Sequence, residues 1–148
     1  MERPSLSLLG GFRFDTASGE AAPALTRKAR AMLAYLALQP GQPQTREKLA
    51  GLLWGSSGEQ QSRVNLRQAL STIRRVHPSS SANWFVAAGE SITLKRDALD
   101  LDVARFEELA AGSSPDQLEQ AIALFRGDLL DGFSVKEEPF EDWLRIER

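Results

Sequence analysis

Four arginines, Arg63, Arg67, Arg74 and Arg75, fall within thirteen residues of this 148-residue chain, interleaved with Gln60, Gln68 and Ser71. These side chains share a chemistry. A guanidinium is a planar fork of donors that matches a phosphate or the edge of guanine, a carboxamide matches the edge of adenine, and a hydroxyl serves either. On a helix turning about 100° per residue, Leu66, Ala69, Leu70, Ile73 and Val76 form one apolar stripe. Gln60, Val64, Arg67, Gln68, Ser71 and Arg75 then lie opposite, with Arg63 and Arg74 on the shoulder. Such a helix has the diameter and the donors that reading a DNA major groove requires. Taken alone, the same pattern also describes a solvated surface face.

The surroundings favour a polyanion partner. From Met1 to Arg96 there are 13 Lys and Arg against 6 Asp and Glu; from Asp97 to Arg148 the counts are 5 and 14, a split that the net charge of −2 conceals. A basic unit followed by an acidic one reads as a nucleic-acid-binding part joined to a part that must stay off nucleic acid. Two helix starts point the same way. Arg27 and Lys28, and again Arg46 and Lys48, stand in first turns, where the macrodipole disfavours cations by roughly 0.3–1 kcal/mol each. That local cost points to an anion supplied from outside, or else to compensation by Glu47 or solvent.

The elements that would hold these residues are legible in outline. Ser5 to Phe14 alternates partly and runs into turn-rich Asp15 to Gly19, predicting a small N-terminal antiparallel sheet. Thr26 precedes a helical pattern over Arg27 to Leu38, and Thr45 precedes a short one ending near Trp54-Gly55. Trp54, after Leu52-Leu53, reads as core. Ser56 and Glu59 have capping-box spacing, so a third helix is expected over about 59–76, ended by Pro78. Gly89-Glu90 between two apolar runs predicts a hairpin. Acidic amphipathic helices follow around Val103–Ala110 and Leu118–Phe125, and a last one after Pro139.

The order of these residues resembles the SARP-type bacterial transcriptional activators. The matching stretches are Leu8–Phe12, Arg27–Leu38, Arg46–Trp54 and Asn65–Ser71, then Leu101–Phe106, Phe125–Phe133 and Phe140–Leu144. The resemblance implies an OmpR-type α+β winged-helix DNA-binding domain over 1–96, with a small sheet, three helices and a hairpin wing. An all-α segment over 97–148 would be the first part of the helical, TPR-like bacterial transcriptional activator domain. It further implies binding of double-stranded DNA at repeated promoter half-sites, a second copy on the DNA, and recruitment of RNA polymerase. By position it makes Arg63, Arg67, Gln68, Ser71, Arg74 and Arg75 recognition-helix candidates, and Arg46 and Lys48 candidates for backbone contact. Gly55, Ser56, Ser57 and Gly58 become the candidate polymerase-contact loop. Two features depart from the pattern. The hairpin tip carries Glu90, which phosphate repels, with Lys95 and Arg96 just past the second strand. The helical domain also stops early, so an exposed apolar surface is expected around Phe140, Trp143 and Leu144.

Other function classes find little support. There is no cysteine, a single histidine at His77, and none of the common nucleotide-binding, metalloprotease or hydrolase motifs, so neither an enzyme nor a cofactor or metal site is expected. The adjacent acidic pairs Glu107-Glu108, Glu137-Glu138 and Glu141-Asp142 read as solvated faces. No apolar stretch is long enough to span a membrane and no secretory leader is evident, so a cytoplasmic setting is expected. The competing reading is a regulatory or protein-interaction module of a larger signalling protein that does not touch DNA.

Overall fold

The structure is a computed structural model, and it describes residues 4–15, 25–75, 85–95 and 99–148. Arg74, Arg75 and residues 85–88 are described in backbone only. Val76, His77, Pro78 and Arg96 lie outside the described residues. The fold is mixed: small sheets and six helices among the described residues. Two compact units interleave along the sequence. One combines the N-terminal strands with Leu99–Phe133 and Arg148; the other combines the central helices and hairpin with Ser134–Glu147.

In the first unit, β1 (Ser5–Ser7) lies between β2 (Arg13–Asp15) and β6 (Asp100–Leu101). β2 runs antiparallel to β1, with Leu6 opposite Phe14, whereas β6 runs parallel, with Leu6 opposite Leu101. The expected antiparallel sheet is therefore mixed. Its third strand comes from the acidic segment, far along the chain, a kind of pairing that local patterning cannot show. Asp102 opens helix α4 (Asp102–Ala110) and its carboxylate accepts from the Leu8 and Leu9 N–H groups at 2.9 and 3.0 Å. α4 packs against α5 (Pro115–Leu124), which starts at a complete capping box between Ser114 and Gln117 with proline in the first turn. Phe106 and Phe125 meet with ring centroids 5.9 Å apart. Leu130, buried at φ +51°, is held by its N–H to the Leu8 carbonyl at 2.7 Å, while Arg148 donates to the Leu129 and Leu130 carbonyls at 2.9 Å each.

The second unit contains helices α1 (Arg27–Ala37), α2 (Arg46–Trp54) and α3 (Glu59–Arg75), followed by the hairpin β4 (Phe85–Ala88) and β5 (Ser91–Leu94). That order is consistent with a winged helix. The expected N-caps form: the Thr26 hydroxyl accepts from the Ala29 N–H at 3.1 Å, and the Thr45 hydroxyl from the Lys48 N–H at 3.0 Å. β3 (Gln44–Thr45), too short to announce itself in sequence, pairs with β5 and gives the strand order β3-β5-β4. At the hairpin tip Gly89 adopts φ +60° and Glu90 does not leave the ordinary region, the pattern of a II′ turn. The core gathers Met32, Leu33, Leu36, Leu49, Leu53, Leu66, Ile73, Ile92 and Leu94, with Trp54 also buried, as expected.

The last helix, α6 (Glu138–Glu147), overturns one expectation. Phe140 and Leu144 are 0% and 1% exposed, and Trp143 meets Tyr35 edge to face at 4.8 Å between centroids. α6 packs against α2 in the unit built by α1–α3, so Phe140 and Leu144 are covered, and Ile146 near its end is the side chain left open, at 82%. Among the described residues an exposed apolar group lies on and just after α5, where Leu118, Ile122 and the C-cap Phe125 stand 45%, 72% and 49% open.

Candidate nucleic-acid interface

α3 is anchored along one side. Leu66, Ala69, Leu70 and Ile73 are all buried, and Gln60, Arg63, Arg67, Gln68 and Ser71 are all exposed. The backbone of Arg74 and Arg75 continues the helix to its end. Val64, assigned to the outward face, is half-buried. The separation follows from the helical period: residues three and four apart share a face, so burying the leucine stripe turns the polar positions to solvent. Arg63 is not idle. Its guanidinium pairs with Glu59 at 3.0 Å, an exposed i,i+4 contact worth about 0.3–0.5 kcal/mol and readily exchanged for another anion. Among the described residues, Arg67, Gln68 and Ser71 form no side-chain hydrogen bond, which leaves their donors available.

The helix start differs from the expected capping box. Gly58 supplies the first helical acceptor, its carbonyl receiving the Ser62 N–H at 2.9 Å, while Glu59 turns to Arg63. Ser56 is engaged elsewhere: its hydroxyl donates to Glu137 at 2.9 Å and its N–H to the same carboxylate at 3.4 Å. A buried carboxylate outcompetes a local cap because a charged acceptor makes the stronger bond. In the candidate polymerase-contact loop, Gly55, Ser56 and Gly58 are exposed and Ser57 is half-buried, its N–H donating to the Trp54 carbonyl at 3.0 Å.

Arg46 and Lys48 flank the start of α2, half-buried and exposed respectively. The Arg46 N–H donates to the Glu90 carbonyl at 2.7 Å, so this helix start and the hairpin tip are tied together. Glu90 remains exposed at that tip.

Lys28 corrects a second expectation. Its ammonium lies 3.3 Å from Glu137, so this first-turn cation is compensated from within the chain rather than awaiting an external anion. Burial raises the Glu137 pKa, but hydrogen bonds from Ser56 and Lys28, with the Lys28 charge, outweigh it and hold the carboxyl below its ordinary value. Glu137 gave no signal in sequence, where it is one acid among several and its partners are 81 and 109 positions away. Arg27 stays exposed, beside a groove lined by Lys28, Ser57, Asn65, Gln68 and Thr72. Asp102 was also missed, although an acid at a helix start is a recognisable signal. Among the described residues no cluster of His, Asp or Glu could hold a metal ion, and no helix is long and apolar enough to cross a membrane.

No family model matches the chain, and no curated protein is similar to it. Among solved structures it is similar to Mycobacterium tuberculosis EmbR, determined in complex with a low-affinity phosphopeptide, with a TM-score of 0.78 and 22% identity. The match covers 99% of this chain and 42% of that one, so the chain spans less than half the length of its structural neighbour. The likeness shows that the two share a fold.

Proposed function

We propose that this chain is a sequence-specific double-stranded-DNA-binding protein of the SARP type that activates transcription in the cytoplasm by recruiting RNA polymerase. In this reading residues 1–96 form the OmpR-type DNA-binding domain and 97–148 the first part of the helical activator domain. α3 enters the major groove, where Arg67, Gln68 and Ser71 read base edges and Arg63, Arg74 and Arg75 meet phosphate or guanine. Arg46 and Lys48 hold the DNA backbone, and Gly55–Gly58 faces polymerase. Copies bind repeated half-sites. One observation carries the reading: a helix buried along Leu66, Ala69, Leu70 and Ile73 exposes Arg63, Arg67, Gln68 and Ser71 on its other side.

Selection of bound duplexes from a random pool, followed by a salt titration on the selected site, tests it. With about four to six basic groups on phosphate, log affinity should fall linearly with log salt at a slope of roughly −4 to −5. Absence of duplex binding at low salt rejects the reading. It would favour a module that binds protein, for which the open Leu118 and Ile122 on α5 and Phe125 at its C-cap speak.

A further inference from the structure

Glu137 is 8% exposed although it belongs to the adjacent acidic pair Glu137-Glu138. A carboxylate is withdrawn from water only where donors replace its hydration, and three do so here: the Ser56 N–H, the Ser56 hydroxyl and the Lys28 ammonium. Those donors come from two places, the first turn of α1 and the loop joining α2 to α3. Within that loop the Ser57 N–H closes a turn on the Trp54 carbonyl at 3.0 Å. Gly55 packs so close to Gly51 that a Cβ there would come within 2.7 Å of the Gly51 carbonyl, which fixes how the chain leaves α2 but not where Ser56 points. The segment presenting Glu137 is itself held out of its preferred conformation, since Lys136 adopts φ +58° with its N–H on the Ser134 hydroxyl at 3.3 Å. A non-glycine residue stays in that region where surrounding contacts overdetermine it, and the Glu137 cluster is the adjacent contact that does so.

We infer that Glu137 is a positioning residue for the α2–α3 loop: it sets the shape in which Gly55–Gly58 is offered to RNA polymerase, without taking part in DNA recognition. The inference rests on the proposed activator reading. It separates two properties that reading joins, because the outward side of α3 carries DNA binding whereas the Glu137 carboxylate is bonded to Ser56 and Lys28, which lie outside α3.

The test compares the 148-residue chain with its Glu137→Ala, Glu137→Gln and Ser56→Ala variants by amide hydrogen exchange, duplex affinity on the selected site, and transcription with a bacterial RNA polymerase holoenzyme. Glu137→Ala should speed exchange at Ser56 and Ser57 at least tenfold and leave protection within α3 unchanged. Its duplex Kd should stay within twofold of wild type while activated transcription falls at least fivefold. Ser56→Ala should follow it, and Glu137→Gln, which keeps an acceptor for the Ser56 hydroxyl, should lose about half as much on a logarithmic scale. Unchanged loop exchange and transcription would overturn the inference, as would a parallel loss of duplex affinity and activation, which marks general destabilisation. Failure of the wild-type chain to bind duplex or raise transcription would remove the activator reading and this inference with it. That outcome is visible before any variant is made.

Discussion

The residues on the outward side of α3 differ in what they can say about sequence. An arginine forked onto guanine discriminates between bases, whereas a lysine on phosphate does not. Arg67→Ala should therefore cost about 1–3 kcal/mol on the selected site and relax preference at one position, while Lys48→Ala should weaken all duplexes alike. Fluorescence anisotropy on matched and mismatched duplexes separates these, and equal affinities for wild type and Arg67→Ala would reject the assigned side. Glu137 makes a different forecast. Its folded pKa lies below the unfolded one, so the unfolded chain binds the proton first as pH falls. Its contribution should be complete above the ordinary carboxylate range and lost as pH drops through the folded value. Urea unfolding of wild type and Glu137→Gln should accordingly show a stability gap at neutral pH that closes in acid; a gap independent of pH would mean that packing, not charge, holds this residue.

At the scale of elements, two helices of the acidic segment behave oppositely. α6 buries Phe140 completely, so Phe140→Ala should cost about 3–5 kcal/mol. α5 leaves Ile122 72% exposed, and Ile122→Ser should stay within about 0.5 kcal/mol. Thermal unfolding of both variants checks the contrast, and similar losses would place α5 against a partner surface in solution. The hairpin is sensitive for a backbone reason. Gly89 sits at φ +60° with open space around its Cα, so Gly89→Ala meets no steric neighbour but pays the left-handed cost of roughly 1–2 kcal/mol.

For the whole molecule, the charge split along the sequence does not coincide with the compact units. Ser134–Glu147 carries five acids, counting Glu137, Glu138, Glu141, Asp142 and Glu147, yet it belongs to the unit of the basic helices, where Glu137 neutralises Lys28. Removing everything after Phe133 would strip Phe140, Trp143 and Leu144 from the core beside Tyr35. The melting temperature should then fall by roughly 10 °C or more, given several kcal/mol of lost burial. Calorimetry of the shortened chain, with an unchanged melting temperature as the contrary result, decides whether α6 is structural.

Periodicity and capping chemistry were enough to lay out α1, α2, α3 and the hairpin, because Thr26, Thr45, the Leu66–Ile73 stripe and Gly89 act over a few residues and need no distant partner. The same local rules turned Arg67, Gln68 and Ser71 to solvent, so the candidate site was legible before the fold was known. Tertiary structure alone decided what Glu137, Asp102, β6 and α6 do. Glu137 reaches Ser56 across 81 residues, Asp102 reaches Leu8 across 94, and β6 pairs Asp100 with Ser5 near the start of the chain. Nothing local to these residues encodes the partner: an acid reads as solvated, and Phe140 as uncovered, until folding brings the complementary donor or apolar surface alongside.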